Sequence, residues 1–248
     1  MTALTDALRG ATFYDVSPVI DDRLPTFPGH PALVVEADSR THERDGYFLQ
    51  RLCLGEHVGS HVDAPAHAVA ALSDRTIDRY PVDRFIAPYV KYDLTEFAPA
   101  PGDLVSRAML EEVESRDGFV PQAGDVAIVQ FGWDRHLRPS SDDADERLWW
   151  IRNAPGLAED ACEHLAARGV SGVGSDTATC DAAVVDGVIT SAVGHNRTFL
   201  PNEILLFEGL VSLAAAPTQG VFLGLPLRIR GGSGSPIRAV LVGDGSGR

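Results

Sequence analysis

Residues 55–69 read GEHVGSHVDAPAHAV, and the spacing of their polar side chains decides how the chain is interpreted. The stretch contains His57, His61, Asp63 and His67, and so three of the eight histidines of the chain. Neutral imidazole and carboxylate groups are ligands that zinc and manganese accept, and a catalytic site uses three protein ligands with one open position. His57, His61 and Asp63 supply that set, which predicts a site for a divalent metal.

The same spacing favours an extended backbone. In a helix, Asp63 would lie about 240° around the axis from His57. Gly59 and Pro65 also oppose helix formation. In an extended chain, the four polar residues have the same parity, so their side chains project to one side.

An ideal strand would separate His57 from His61 by about 13 Å, which is long for two ligands of one ion. We therefore expect the chain to bend at residues 59–60. Pro65 would then end the strand and place His67 a short distance beyond the ion. We predict that His67 is the catalytic acid or base and not a metal ligand.

The composition indicates an acidic globular protein. The 248 residues include 21 Lys and Arg against 35 Asp and Glu, a formal net charge of −14, which argues against a nucleic-acid or anionic-membrane partner. Hydrophobic residues make up 44% of the chain, enough for a sizeable core. The sequence has no long apolar run and no signal-peptide pattern, so we expect a cytoplasmic protein. The three cysteines are widely spaced, which argues against a disulfide framework or a thiolate zinc site.

Short apolar runs bounded by Gly, Pro or Asp predict β-strands, and two further segments predict helices. The predicted strands are Leu33–Val35, Ala87–Leu94, Val126–Phe131, Gly169–Gly174, Ile204–Phe207, Val221–Leu225 and Ile237–Val242. One predicted helix follows Ser106 as a candidate N-cap, and the other covers Asn153–Gly169. Strands interleaved with a few helices indicate an α/β fold with a mixed sheet. No linker divides the chain, so we expect a single domain over residues 1–248.

Outside residues 55–69, ordinary structural interpretations are favoured for most polar and aromatic residues. His164 is expected on the solvated side of its helix, and positions outside a cleft are favoured for His30 and His136. Trp149 and Trp150 lie in a segment rich in Arg and Asp, where a pair of exposed aromatic residues is typical of a subunit contact.

The motif HVGSHVDAPAH, residues 57–67, resembles the signature HxGTHxDxPxH of the metal-dependent cyclase-like hydrolases. This superfamily holds bacterial kynurenine formamidase, isatin hydrolase and trans-dienelactone hydrolase. One position departs from the signature, since Ser60 replaces the usual Thr but keeps the hydroxyl group. The resemblance covers nearly the whole chain and includes YDVSPVIDDRLPTFPGHP from residue 14, GDVAIVQFGWD from 124, NAPGL from 153, GVSGVGSDTATCD from 169, HNRTFLPNEILLFEGL from 195 and LPLRIRGGSGSPIRAV from 225.

The resemblance implies a single swivelling β/β/α fold, with a mixed, barrel-like sheet and a few flanking helices. It also implies that His57, His61 and Asp63 bind the metal. His67 is implied as the catalytic acid/base, in agreement with its expected place beyond the ion.

A second part of the site is implied by the same resemblance. In members with two ions, His195 and Glu208 would complete the site, and Asp63 would bridge the ions. Glu208 lies in LLFEGL, where a buried carboxylate is costly unless it is paired or metal-bound; a strand-end position facing solvent is the alternative. The implied cofactor is Zn²⁺ or Mn²⁺, as one or two ions, and the implied assembly is a homo-oligomer, a dimer or tetramer.

The implied reaction is hydrolysis of a C–N bond in a small aryl formamide or cyclic amide. Because such substrates are flat and aromatic, Phe27 and Trp133 are candidate substrate-binding residues. Lactone hydrolysis and a cyclase or dehydratase reaction at the same site are alternatives, and so is a non-catalytic metal- or ligand-binding protein. The sequence has no GxSxG, GxGxxG or GxxxxGK motif, so a serine nucleophile, a nicotinamide or a nucleotide is not indicated.

Overall fold

The computed structural model of the chain describes residues 2–244. The strands are β1 Thr12–Asp15, β2 Val34–Arg40, β3 Leu49–Cys53, β4 His61–Asp63, β5 Ile86–Asp93, β6 Leu104–Val105, β7 Val126–Gln130, β8 Gly156–Leu157, β9 Gly172–Ser175, β10 Ala183–Val185, β11 Val188–Ser191, β12 Leu205–Glu208, β13 Gln219–Leu223, β14 Gly234–Pro236 and β15 Val240–Gly243. The helices are α1 Ala3–Gly10, α2 His42–Asp45, α3 Arg107–Asp117, α4 Ala144–Arg152 and α5 Glu159–Ala167. Among residues 2–244, no helix is both long and apolar enough to cross a membrane.

A nine-stranded sheet organises the chain, with the strand order β1-β15-β13-β5-β7-β9-β12-β4-β14. The central strands β5, β7, β9 and β12 run parallel to one another. The strands outside them are joined by antiparallel pairs. This arrangement confirms the predicted α/β class with a mixed sheet.

The sheet separates two hydrophobic cores, as the side chains of β7 illustrate. Ala127 and Val129 belong to the core that α3, α4 and α5 cover. Val126 and Ile128 belong to the core on the opposite face. Successive side chains of a strand point to opposite faces, so a strand buried on both faces needs a continuous apolar run, and VAIV provides it.

The predicted helix Asn153–Gly169 begins later than expected, at Glu159. Gly156 and the residue after it form β8 instead. A Cβ atom at Gly156 would lie 2.3 Å from the carbonyl oxygen of Asp181, so the backbones can approach this closely only at a glycine. The predicted helix end is correct, since Gly169 has φ +75°, a left-handed conformation that glycine favours.

The other predicted elements are present with shifted ends. Leu33–Val35 overlaps β2, which pairs with β3 in a separate two-stranded hairpin. The remaining predicted strands lie in the nine-stranded sheet. Ser106 occupies the N-cap position of α3, although its side chain makes no capping hydrogen bond.

Candidate active site

The candidate site lies where β4 runs antiparallel to β12. His61 is paired with Glu208, and Asp63 is paired with Leu206. Because directly paired residues point to the same face of a sheet, His61, Asp63 and Glu208 present their side chains together. All three are almost completely buried.

Turns at both ends of β4 place the flanking histidines. The predicted bend is present, since Gly59 has φ +61°. Ser60, at the position where the family signature has Thr, donates a 2.8 Å hydrogen bond from Oγ to the carbonyl of Gly209 just beyond β12. At the other end, Pro65–His67 form a 3₁₀ turn. The strand therefore ends before Pro65, as predicted, and the turn brings His67 back toward the site.

Four imidazole rings converge on the carboxylate of Asp63. His57 Nδ1 lies 2.6 Å and His61 Nε2 3.5 Å from its Oδ1 atom. His195 Nε2 lies 3.5 Å and His67 Nε2 3.9 Å from its Oδ2 atom. Oδ2 is buried and accepts no hydrogen bond from any residue between 2 and 244.

The ring of His61 has a fixed orientation. Its Nδ1 atom donates a 2.9 Å hydrogen bond to the carbonyl of Gly59. Since a carbonyl only accepts, Nε2 is the nitrogen left to face the site, and it lies 3.2 Å from Glu208 Oε2. Burial alone lowers the pKa of His61, but the contact with Glu208 and the charge of Asp63 outweigh burial and raise the pKa to about 9.

His195 is held by a carboxylate that the sequence analysis did not single out. It lies in a π-helical turn, Gly194–Thr198, and its Nδ1 atom is hydrogen-bonded to Oδ1 of the fully buried Asp181. Its Nε2 atom therefore faces the site, 3.3 Å from Glu208 Oε1. Asp181 was visible in the sequence only as one of several polar residues after β9, because nothing in its spacing links it to His195.

The surroundings of Asp63 and Glu208 favour the ionised form of both carboxylates. Burial opposes ionisation of Asp63, but its contacts with His195 and His57 hold its pKa well below the ordinary value. Burial and the charge of Asp63 raise the pKa of Glu208, but the charge of His195 and contacts with His195 and His61 bring it to about 2. Burial lowers the pKa of His195, whereas Asp181 and Glu208 raise it well above the ordinary value. Protons on His61 and His195 therefore compete with a cation for the same nitrogen atoms.

His67 differs from the other histidines around Asp63. Its side chain is 29% exposed, whereas the side chains of His57 and His195 are 12% exposed and that of His61 is 8% exposed. Its ring centroid lies 4.0 Å from that of His57. Burial, as the largest influence, lowers the pKa of His67, so the ring is neutral at pH 7 and can accept a proton.

A cavity of about 210 Å³ opens onto these residues. Its walls are mainly apolar and include Leu24, Phe27, Leu137, Trp150 and Ile189. Phe27, one of the two predicted substrate-binding residues, thus lines the cavity. An apolar cavity with a few convergent polar groups is typical of a small-molecule site.

Trp133, the other predicted substrate-binding residue, does not line the cavity. It is 1% exposed, and its indole nitrogen donates a 2.7 Å hydrogen bond to the carbonyl of Asn153. Trp150 contributes the cavity wall in its place. The expectation of an exposed Trp149 and Trp150 pair is correct only for Trp149, which is 38% exposed and stacks on Trp133; α4 buries Trp150.

Two further histidines lie elsewhere than expected. His30 lines the cavity, with its ring centroid 6.0 Å from that of His57. His164 is buried and not solvated, and its Nε2 atom lies 2.8 Å from Glu114 Oε1. Because Glu114 lies on α3 and His164 on α5, this buried hydrogen bond joins the two helices.

The residues around Asp63 fit a divalent cation. Within residues 2–244, His57, Asp63 and His67 form one group whose ligand atoms lie within 4.8 Å of one another, and His61, Asp63 and Glu208 form a second. Both groups share Asp63, whose Oδ2 atom has no hydrogen-bond partner there. A buried carboxylate oxygen without a donor is costly, and a cation removes that cost.

The sequence of the chain is similar to a family model and to proteins of known activity. The family model described as putative cyclase matches residues 14–182. An isatin hydrolase of Roseibium aggregatum is 31% identical over 209 residues, which cover 81% of this chain and 78% of that protein. A kynurenine formamidase of Salinibacter ruber is 27% identical over 228 residues, which cover 92% of this chain and 95% of that protein.

The structure of isatin hydrolase A from Ralstonia solanacearum is similar to this chain over nearly the whole length of both. The TM-score is 0.83 at 25% sequence identity, and the superposition covers 98% of this chain and 97% of that chain. The predicted cyclase-like fold, a barrel-like mixed sheet with flanking helices, is therefore confirmed. The chain belongs to the cyclase family and is a cyclase-like hydrolase.

Proposed function

We propose that the chain is a metal-dependent hydrolase that cleaves the C–N bond of a small aryl formamide or cyclic amide. The convergence of four imidazoles on the Asp63 carboxylate, whose Oδ2 atom accepts no hydrogen bond from residues 2–244, supports a metal site most directly. The names of the relatives, an isatin hydrolase and a kynurenine formamidase, favour amide hydrolysis over the lactone, cyclase and binding-protein alternatives.

The proposed ligands of the first ion are His57, His61 and Asp63, and His195 and Glu208 would complete the site for a second ion. Imidazole and carboxylate groups suit Zn²⁺ and Mn²⁺, which we propose as the cofactor, in one or two copies. A divalent ion at this site supplies Lewis acidity, which polarises a carbonyl group and makes water more acidic.

His67 is proposed to move the proton of the reaction. It is neutral at pH 7 because burial lowers its pKa, so its free ring nitrogen can take a proton from the attacking water. The resulting imidazolium can then donate that proton to the leaving nitrogen. His67 also belongs to one of the candidate ligand groups; its greater exposure and its distance of 3.9 Å from Asp63 favour proton transfer over ligation.

The cavity walls are proposed to bind the aromatic part of the substrate. Phe27 and Trp150 offer ring surfaces, and Leu24 and Leu137 add apolar contact. Their apolar surface would exclude bulk water from the reacting carbonyl, which strengthens the electrostatic interactions there.

The proposed function is tested by metal analysis and hydrolysis assays on the purified protein. Isatin and N-formylkynurenine are the substrates, and each is assayed before chelation, after chelation, and after Mn²⁺ or Zn²⁺ is restored. We expect bound metal, loss of turnover on chelation and recovery on reconstitution. A protein that carries no metal and is indifferent to the chelator would overturn the proposal.

We also propose a homo-oligomer in which a second copy covers the β2–β3 hairpin. All of β3 is exposed, including Leu49 and Leu52, and the turn beside it exposes Tyr47 and Phe48. An isolated two-stranded hairpin is marginally stable in water. Size-exclusion chromatography with light scattering should show a dimer or tetramer. Replacing Leu49 and Leu52 by Ser should lower the measured mass of the particle, and a monomeric wild type would contradict the proposal.

The cytoplasmic location stays a prediction.

A further inference from the structure

We propose that Glu56 and Ser233 are positioning residues that set the tautomer of His57, so that Nδ1 of this ring is the atom left to bind the cation. The proposal rests on the metal site put forward above. It assigns a role to the glycine-rich segment RGGSGSP, residues 230–236, which the proposed chemistry does not otherwise use.

A short chain of hydrogen bonds runs away from the site behind His57. Its Nε2 atom lies 2.9 Å from Ser233 Oγ. Ser233 Oγ lies 2.7 Å from Glu56 Oε2, and the same carboxylate oxygen accepts the backbone N–H of Ser233 at 2.9 Å. Glu56 and Ser233 are 177 positions apart in sequence, so only the fold brings them together.

The chemistry of these groups fixes the direction of each hydrogen bond. A carboxylate only accepts, so the single hydroxyl proton of Ser233 points to Glu56. Ser233 Oγ must then accept from His57, which places the ring proton on Nε2. The opposite nitrogen, Nδ1, lies 2.6 Å from Asp63 Oδ1. This is a hydrogen-bonding distance, and a cation bound by Nδ1 and Asp63 would take the place of the proton in that contact.

The other two histidines proposed as ligands, His61 and His195, face the site with the opposite ring nitrogen. The Nδ1 atom of His61 donates to a backbone carbonyl, and the Nδ1 atom of His195 is bonded to Asp181. Both rings therefore present Nε2 to the site. His57 comes from the opposite side of the bend at Gly59, and it needs a partner on Nε2 to present Nδ1.

The residues on either side of Ser233 are glycines, and both lie close to the side chains of the hydrogen-bond chain. A Cβ atom at Gly234 would lie 2.6 Å from Cε1 of His57, and one at Gly232 would lie 2.8 Å from Oε1 of Glu56. The carbonyl of Ser233 accepts the backbone N–H of Ala64 at 2.9 Å. The glycines on both sides of Ser233 thus allow residues 232–234 to pack closely against the His57 ring and the Glu56 carboxylate. The hydrogen bond from Ala64 holds the same residues beside β4.

Three variants test the proposal. Ser233→Ala removes the acceptor for His57 Nε2, and Glu56→Ala removes the acceptor that directs the hydroxyl proton. Glu56→Gln is the matched control, because its amide oxygen can still accept from both the hydroxyl and the backbone N–H of Ser233. For each protein we would measure the dissociation constant for Zn²⁺ by chelator competition and the protonated ring nitrogen of His57 by long-range ¹H–¹⁵N NMR.

We expect Ser233→Ala and Glu56→Ala to weaken Zn²⁺ binding about 10- to 100-fold, the range typical of partners behind a metal ligand. The proton of His57 should shift away from Nε2 in both, whereas Glu56→Gln should behave as the wild type. Unchanged affinity and an unchanged His57 tautomer in either alanine variant would overturn the proposal. Failure of the wild type itself to bind metal would instead contradict the proposed function, so the two outcomes are distinct.

Discussion

Asp181 holds both the ring and the backbone of His195. One carboxylate oxygen is bonded to Nδ1 of the ring, and the other accepts the backbone N–H of His195 at 3.2 Å and that of Gly194 at 2.6 Å. The turn and the imidazole are thereby oriented by a single buried side chain. This arrangement is that of a metal ligand whose second nitrogen is hydrogen-bonded to a carboxylate.

Asp181→Asn should weaken divalent-metal binding about 10- to 100-fold, because the amide cannot accept from both the ring and the backbone of His195. Isothermal titration with Zn²⁺ or Mn²⁺ measures this effect. Asp186→Asn is the control, since it removes the same charge from an exposed position on the same segment. Equal affinities in the two variants would contradict the role of Asp181.

His67→Ala should retain the metal and lose turnover. General acid–base catalysis by one positioned side chain contributes about 10²- to 10⁴-fold to a rate, and we expect a loss of kcat in that range. Metal content measured on the same preparation separates this outcome from loss of a ligand. Full activity would remove His67 as the acid/base, and loss of metal would make it a ligand.

The stability of the metal-free protein should fall between pH 6.5 and about 9. His61 has a pKa of about 9 in the folded state against an ordinary value of 6.5. Below pH 6.5, His61 holds its proton in both the folded and the unfolded state. Protonated His61 then adds its full contribution to the free energy of unfolding, on the order of 3 kcal/mol. It is lost as the pH rises through about 9, because the folded state then releases the proton too. Urea unfolding across this range checks the trend.

Metal affinity should change in the opposite direction over the same range. The cation displaces the proton from His61, so the part of the apparent affinity that depends on His61 should rise with pH and level off above about 9. Chelator competition at a series of pH values measures this directly. Affinity that is independent of pH would show that His61 is not a ligand.

Phe27→Ala should raise KM for aromatic substrates with little change in metal content. Loss of an aromatic contact worth about 1 to 2 kcal/mol corresponds to roughly a tenfold increase. Phe13→Ala is the control, because Phe13 is 53% exposed on β1 and is not among the residues that line the cavity. An unchanged KM in Phe27→Ala would remove Phe27 from the substrate site.

The part of the site that local sequence determines was predictable. The shared parity of His57, His61, Asp63 and His67 indicated an extended segment, and Gly59 indicated its bend, because both depend on backbone preferences within a few residues. The central strands of the sheet were predictable as strands for the same reason, since a strand buried on both faces needs a continuous apolar run; their parallel pairing was not predicted.

The contacts between distant segments were not predictable. Asp181 and Ser233 act through hydrogen bonds to His195 and His57, and no periodicity connects them. Trp133 follows an apolar run and Trp150 lies in a segment rich in Arg and Asp, yet only Trp150 lines the cavity. The difference between them depends on how α4 packs on the sheet. Patterns within a short stretch of sequence do not specify that packing.

The side chains around Asp63 are proposed to hold a divalent ion. Anomalous diffraction from a crystal of the protein, recorded at the Mn or Zn absorption edge, tests it most directly. We predict a peak in contact with Asp63, at about 2.0 to 2.2 Å from its carboxylate oxygen if the ion is zinc, with His57 and His61 among its ligands. A crystal grown with Mn²⁺ or Zn²⁺ that shows no peak there, or a peak only elsewhere in the molecule, would contradict the account.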